Sequence, residues 1–269
     1  MLAPERYKQY KLNHRKDPVL ETPDPSFSSP TNPIFKAIAT VATRGDYIIP
    51  NLPPILDQGQ LGSCAAHAGV GALEILQGNL DPPLFQPLSR RFLYWLATSL
   101  DGNAGQDAGT YLRSIVQQAH KIGVCAETYW SYSDNAEDLV KPPSEVFIRA
   151  SENRIYAYYK IDSTGNQRLA DICAAIWTNH PVIFGTLVGN AYMTTDGKSP
   201  LTPEKNNEGG HATGLMGIQS IAGRLSFRDK GSYSSQWADG GYCWFDQDYI
   251  TWENTSDLWV MTHVEPLIA

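Results

Sequence analysis

The sequence lacks several features that would place it in other classes of protein. It has no apolar run near the roughly 20 residues that span a bilayer, and its N-terminus lacks the apolar core of a secretory signal. Its formal net charge of −7 offers no basic surface for neutralising phosphates. We therefore expect no membrane segment and no nucleic-acid partner. The expected location is the cytoplasm, or outside the cell by a route without a standard signal peptide.

Cysteine is also scarce, with only Cys64, Cys125, Cys173 and Cys243 in 269 residues. They are far apart, and no CxxC or Cys/His spacing indicates zinc. An even count allows two disulfides, but so few cysteines do not make a disulfide scaffold. We interpret Cys125, Cys173 and Cys243 as buried thiols, and Cys64 as the exception.

Charge and proline are unevenly distributed. Residues 1–45 carry seven Lys/Arg against four Asp/Glu and six of the prolines, so a basic extension precedes an acidic body. Little periodicity is present there, apart from a possible short helix near Ile34–Val41. The composition predicts an extension that runs over a surface or stays disordered.

Helix patterns dominate the first half of the chain and strand patterns the second, which is the α+β arrangement. Four segments have helical periodicity: Ser63–Gly78, Leu88–Leu100, Thr110–Gly123 and Arg168–Asn179. Four later segments have the composition of strands: Val182–Val188, His211–Ile218, Arg224–Arg228 and Gly241–Phe245.

The first chemical signal is the run Asp57-Gln-Gly-Gln-Leu-Gly-Ser-Cys64. A thiol that attacks a carbonyl must be partly ionised, exposed and close to a donor for the oxyanion. Cys64 comes where a glycine loop becomes a helix, whose N-terminus favours the thiolate. Gln58 could supply a neutral amide donor, together with the backbone N–H of Cys64. A glycine loop capping a buried cysteine helix is the plainer alternative.

The second signal is Gly209-Gly-His211-Ala at the start of an apolar strand, where the glycines leave room beside the imidazole. Together the two motifs resemble QGxxGSC and GHA of papain-like (C1) cysteine peptidases. Their separation of 147 residues falls within the roughly 130–150 expected for that family. The resemblance implies Cys64 as nucleophile, His211 as acid/base partner and Gln58 in the oxyanion hole.

A third family position is degraded. The family places an Asn after the next strand to orient the imidazole, but no Asn occurs between Asn207 and Asn254. Asp229 is the candidate replacement, since a carboxylate accepts the imidazole N–H and stabilises the imidazolium. Asp229 could equally be a structural turn residue, and Tyr233 could substitute for it.

The resemblance extends over about residues 46–265 and implies the rest of the architecture. We expect a peptidase domain over 46–269, with a helical lobe at about 46–150, a β lobe at about 151–265 and a cleft between them. Gly109 would lie on the cleft wall beside extended substrate. Ala212 would line the pocket for the side chain second before the scissile bond.

The function implied is a cysteine endopeptidase that acts on peptides through a thioester acyl-enzyme, with no cofactor and no metal. The extension at residues 1–45 would be an autoinhibitory pro-segment. Two alternatives stay open. One is a catalytically weak or silent scaffold, suggested by the degraded Asn position. The other is a cysteine transferase or deamidase acting on one partner protein.

Overall fold

A computed structural model describes residues 10–18, 23–30, 32–34, 45–206 and 209–266, with the backbone alone for the last four. Apart from Ile34, the short helix predicted near Ile34–Val41 lies outside these residues. The described helices are α1 (Cys64–Gly78), α2 (Arg90–Leu100), α3 (Leu112–Lys121), α4 (Ser144–Ala150), α5 (Gly165–Trp177), α6 (Asn190–Thr194) and α7 (Gln247–Thr251). The described strands are β1 (His14–Arg15), β2 (Tyr47–Ile48), β3 (Thr110–Tyr111), β4 (Asn153–Ile161), β5 (Val182–Val188), β6 (Gly209–Ile221), β7 (Arg224–Lys230), β8 (Tyr242–Asp246) and β9 (Ser256–Pro266).

Helix α1 is the central helix of the first half and is buried along almost its whole length. Small residues in its first turns allow close packing: a Cβ added to Gly69 would lie 2.3 Å from Ile115 of α3. The buried ion pair between Glu74 and Arg90, with Nη2 and Oε2 2.8 Å apart, fixes α1 to α2. Ser89 caps α2 by accepting a hydrogen bond from the Phe92 N–H. These contacts fix α1 against α2 and α3.

The second half forms a seven-stranded antiparallel sheet in the order β4-β9-β5-β6-β7-β8, with β2 pairing on β6. One apolar cluster fills the interior of this sheet region. A second cluster joins the helices to the sheet and contains both Cys64 and Ala212. The predicted α+β class is confirmed, and the candidate residues lie where helices and sheet meet.

The sheet is larger than the sequence patterns predicted. Strands β4 and β9 were missed, although Ile155, Tyr159 and Ile161 of β4 are buried at alternating positions that a period-two pattern could have revealed. The helix predicted from Thr110 begins only at Leu112, because Thr110 and Tyr111 pair with β1. All four cysteines are buried and unpaired, which confirms the prediction for Cys125, Cys173 and Cys243. Within the described chain, no helix is long and apolar enough to cross a membrane.

Two parts of the N-terminal extension are built into the structure. We call residues 10–18 the plug and residues 23–30 with 32–34 the anchor. The anchor runs along β4, where Ser26 pairs with Lys160, and inserts the fully buried side chain of Phe27 into the sheet core. Of the two predicted possibilities, disorder is wrong for these two parts, because long-range pairing holds both of them against the domain and Phe27 and Ile34 are buried in it.

Candidate active site

Cys64 is the first residue of α1, at the end of the glycine loop that begins at Gln58. Its side chain is 1% exposed. Burial raises the pKa of the Cys64 thiol above its usual value, although the backbone N–H groups of Ala212, Ala65 and Asn13 favour the thiolate. The sequence led us to expect an exposed, partly ionised sulfur. In this structure the sulfur is covered and its neutral form is favoured.

His211 lies on β6 opposite Thr186 of β5, in the register that also pairs Ala212 with Gly185. The ring is fully buried, and burial together with the nearby His14 lowers the pKa of His211 to about 3. An imidazole with so low a pKa is neutral at ordinary pH. His211 Nδ1 lies 3.2 Å from the hydroxyl oxygen of Tyr233. Its Nε2 is buried without a hydrogen-bond partner among the described residues.

The fold brings the two candidate residues together at one point. Ala212, the residue after His211, lies in the same packed cluster as Cys64, and its backbone N–H favours the Cys64 thiolate. The ring of Tyr233 contacts the ring of His211. Burial raises the pKa of the Tyr233 hydroxyl, and a thiolate at the nearby Cys64 would raise it further. Helix α1 and strand β6 thus present sulfur and imidazole to the same small volume.

Gln58 is oriented on both sides of its amide group. Its Oε1 accepts a hydrogen bond from the Ser232 hydroxyl at 2.6 Å, so the NH2 group must face the other way. That NH2 donates to the carbonyl oxygen of Leu61 at 3.1 Å and lies 3.4 Å from the carbonyl oxygen of Lys11. An amide held in this way is a suitable donor for an oxyanion. Ser232 is a residue that the sequence patterns did not single out.

The cleft between helices and sheet is occupied by the plug. Asn13 pairs with Gly210, while His14 and Arg15 pair in parallel with Thr110 and Tyr111. Extended chain therefore lies against both walls of the cleft. At its N-terminal end, Tyr10 stacks on Tyr233, with ring centroids 4.2 Å apart.

Glycines along the cleft leave no space between wall and plug. A Cβ added to Gly109 would lie 2.0 Å from the Asn13 carbonyl oxygen, and Gly109 has a φ of +69°. A Cβ on Gly62 would lie 2.5 Å from the side-chain Nδ2 of Asn13, and one on Gly209 would lie 2.8 Å from the Cβ of Leu12. Each glycine admits the close approach of another backbone. The structure therefore places Gly109 and Ala212, both predicted to bind substrate, at the cleft that the plug fills.

No known family profile matches the chain. A peptidase C1-like protein of Acanthamoeba polyphaga mimivirus is 33% identical over 227 residues, which cover 79% of this chain and 71% of that protein. This chain belongs to the papain-like (C1) family of cysteine peptidases.

Solved structures agree with this assignment. Xylellain, a cysteine protease from Xylella fastidiosa, is 26% identical, with a TM-score of 0.77 over 95% of this chain and 98% of that one. Digestive procathepsin L 3 of Tenebrio molitor is 18% identical, with a TM-score of 0.72 over 97% and 80% of the two chains. At that identity the second likeness concerns the papain-like fold alone. The resemblance and the fold predicted from the motifs are confirmed.

One predicted contact is absent from this papain-like site. The Asp229 carboxylate accepts hydrogen bonds from Thr213, at 2.6 Å, and from Tyr192, at 3.2 Å, and it makes no hydrogen bond to His211. The reason is register: Asp229 pairs with Leu215, four residues beyond His211, and its carboxylate reaches back only as far as Thr213. Burial raises the pKa of Asp229 to about 7, so it is not a fixed negative charge. The hydrogen bond predicted between Asp229 and His211 is therefore absent from this structure, and the hydroxyl of Tyr233, the alternative, contacts the ring instead.

Proposed function

We propose that this papain-like protein is a cysteine endopeptidase held latent by its own plug. Cys64 would be the nucleophile, His211 the proton acceptor and donor, and Gln58 with the Cys64 N–H the oxyanion donors. A substrate carbonyl attacked by the sulfur would form a thioester, with His211 protonating the leaving amine, and water would then release the acid. Tyr233 would orient the imidazole through Nδ1. The observation that carries the proposal is an extended chain lying across sulfur, imidazole and amide together.

Latency has an electrostatic part as well as a steric one. The plug excludes water, and burial lowers the pKa of His211 to about 3 while it raises the pKa of the Cys64 thiol. Both shifts oppose the thiolate–imidazolium pair that the chemistry needs. Removing the plug would rehydrate the site, raise the pKa of the imidazole and lower that of the thiol. The ion pair would then form at near-neutral pH.

The way in which the plug crosses the sulfur explains how it can resist cleavage. Nucleophilic attack needs a carbonyl carbon in front of the sulfur, whereas the plug group that affects the Cys64 pKa is the backbone N–H of Asn13, which favours the thiolate. The Lys11 carbonyl oxygen is 3.4 Å from the Gln58 amide, which is long for a hydrogen bond. The plug therefore occupies the site without presenting an attackable bond.

An endopeptidase needs a cleft that accepts chain on both sides of the scissile bond. The plug continues past Asn13 in both directions, to Tyr10 against Tyr233 and to Asp17 against Trp259. The described residues 10–18 thus extend along the cleft on both sides of Asn13. This geometry favours cleavage within a polypeptide over removal of terminal residues.

The test cuts the chain after it has folded. Residues 19–22 are replaced by the recognition site of an unrelated site-specific protease, and the chain is assayed at nanomolar concentration on fluorogenic peptides before and after cutting. We expect near-background hydrolysis before the cut and strong hydrolysis after it, with Cys64→Ala inactive in both states. Equal rates before and after would contradict latency, and activity in Cys64→Ala would contradict the mechanism. Deleting residues 1–40 is a poorer test, because it also removes Phe27 from the core.

The silent scaffold has one observation in its favour, which is that a phenol hydroxyl and not a carboxylate or amide contacts His211. A peptide epoxide separates the possibilities in the cut chain. A peptidase reacts at Cys64 and cleaves the peptides, whereas a scaffold does neither faster than a free cysteine would. A transferase or deamidase reserved for one partner protein would react with the epoxide and cleave none of the peptides.

A further inference from the structure

The plug inserts one side chain into a pocket beside His211. The imidazole of His14 lies over Gly185, where an added Cβ would be 1.8 Å from His14 Nε2. Gly185 pairs with Ala212, so this pocket directly adjoins the residue after His211. The His14 side chain is only 5% exposed. Because Gly185 has no side chain, the pocket has room for the side chain of another segment, here His14 of the plug.

An acidic residue closes this pocket. Asp257 Oδ2 lies 3.5 Å from His14 Nε2, and the Asp257 side chain is 4% exposed. The same oxygen accepts the backbone N–H of Asp17 at 2.9 Å. Burial would raise the pKa of Asp257, but its contacts with His14 and with that N–H hold it below the usual value. The pocket therefore contains a buried carboxylate whose main partners both belong to the plug.

The backbone at Asp257 is shaped to direct this carboxylate. The β5–β9 register shifts between Ile183 and Gly185, which leaves Asp257 in a β-bulge. Asp257 also has a φ of +55°, in the left-handed region that costs a non-glycine residue free energy. Bulges beside active sites commonly redirect a side chain. The strained bulge turns Asp257 toward the plug.

We infer that Asp257 makes this pocket select a cationic side chain, arginine, lysine or protonated histidine, at the substrate position that His14 occupies. The inference rests on the proposed peptidase function. When the plug leaves, Oδ2 loses both His14 and the Asp17 N–H, and among the described residues the Ser256 hydroxyl, at 3.0 Å, remains on it. The emptied pocket then presents a carboxylate oxygen to the substrate, and a cationic side chain can replace the lost partners with a charge-assisted hydrogen bond.

The neighbouring charges do not remove this preference. Lys160 Nζ is 3.8 Å away, on the other carboxylate oxygen, and its side chain is 25% exposed. Arg113 is engaged by Asp24 of the anchor, at 2.6 Å, and this pair stays when the plug departs. Asp17, the other acid close by, leaves with the plug. Asp257 Oδ2 thus stays available to the bound peptide.

The test uses the chain cut at residues 19–22 after folding and a series of acetyl-X-Gln-fluorophore peptides with X as arginine, histidine, leucine or glutamate. By the position of Ala212, X is the residue second before the scissile bond. We expect kcat/KM for arginine to exceed that for leucine by at least about tenfold, with glutamate the poorest. Asp257→Asn should reduce arginine cleavage by at least about tenfold and leave leucine within about twofold.

Asn tolerates a positive φ as Asp does, so this variant keeps the bulge. Glu152→Gln is the matched charge control. It removes the charge of an exposed carboxylate that pairs with Arg149, and it should change neither rate. The inference would be overturned if the wild type cleaved the leucine peptide as fast as the arginine peptide, or if Asp257→Asn lowered kcat/KM equally for both. Either result would leave the proposed peptidase function standing. Failure of the cut chain to cleave any of the peptides faster than Cys64→Ala would instead remove the proposed function and the inference with it.

Discussion

The plug and the anchor come from the same proline-rich extension but are held in different ways. The anchor buries Phe27 and Ile34 in the apolar core of the sheet. The plug lies between two walls of a cleft, where Tyr10 and Leu12 join that core and the rest of the segment contacts glycines, backbone and polar side chains. Removing the plug uncovers a cleft, whereas removing the anchor opens the core. A segment proposed to inhibit and a segment that supports the core are therefore adjacent in the sequence, and we expect their effects to be separable.

The largest effect is expected in the anchor. Phe27→Ala removes a fully buried aromatic side chain and should lower the free energy of unfolding by about 3–5 kcal/mol. The uncut chain should stay latent at temperatures where it is folded. Urea denaturation and peptide hydrolysis measured on the same preparation check both statements. Activation of the folded chain by this variant would break the distinction between anchor and plug.

A substitution in the plug should raise the activity of the uncut chain and have a smaller effect on its stability. Tyr10→Ala removes the stack on Tyr233 and the hydroxyl contact with Asp57 Oδ2 at 3.2 Å. We expect docking of the plug to weaken roughly tenfold and the uncut chain to gain measurable hydrolysis. The free energy of unfolding should change less than in Phe27→Ala. Tyr156→Phe, at a side chain that is 64% exposed, is the control and should do neither.

Docking of the plug should also depend on pH through Asp17. Burial, and secondarily Asp257, raises the pKa of Asp17 from 3.8 to about 6 when the plug is docked. The docked plug therefore binds a proton more readily than the free one, so this contribution is fully present below pH 3.8 and is lost as pH rises through 6. Synthetic peptides of residues 10–18, with and without Asp17→Asn, are compared as inhibitors of the cut chain at pH 4.5 and pH 7. Between pH 7 and pH 4.5 the peptide with Asp17 should gain on the order of tenfold more inhibition than the Asp17→Asn peptide gains. Equal pH dependence of the two peptides would contradict this assignment.

The smallest effect is expected from a variant that distinguishes the catalytic site from the plug. Tyr233→Phe keeps the ring that stacks on Tyr10 and removes the hydroxyl that contacts His211 Nδ1. A hydrogen bond of this kind contributes about 0.5–1.5 kcal/mol, so kcat of the cut chain should fall several-fold. Inhibition by the plug peptide should be unchanged. A fall in inhibition without a fall in kcat would show that Tyr233 serves the plug and not the imidazole.

Local patterns in the sequence were enough to predict the start of α1 at Cys64 and the strand that carries His211. Both depend on near neighbours: glycines before a helix in one case and before an apolar strand in the other. Their separation along the chain then indicated the family and, with it, the α+β fold. The roles of Cys64, His211 and Gln58 in catalysis stay predictions that the geometry supports.

Residues whose position depends on tertiary pairing could not be predicted. Asp229 lies close to the site, but strand register directs it to Thr213 and not to His211. Ser232 follows β7 in a loop, and only the folded chain shows that it contacts Gln58. The sequence offered Tyr233 only as an alternative to Asp229, and the folded chain shows that its hydroxyl contacts His211. The plug pairs with Gly210 and Thr110, residues far away in the chain, and composition alone carries no record of such pairing.

The most direct measurement is the titration of the His211 ring by NMR in the full chain carrying the cleavable site, before and after cutting. The account predicts that the ring stays neutral down to about pH 3 while the plug is in place. After the plug is released, the ring should carry a proton at pH 6 as the partner of the Cys64 thiolate. A His211 that titrates near its ordinary pKa in the uncut chain would contradict the claim that the plug keeps this pair dry and neutral.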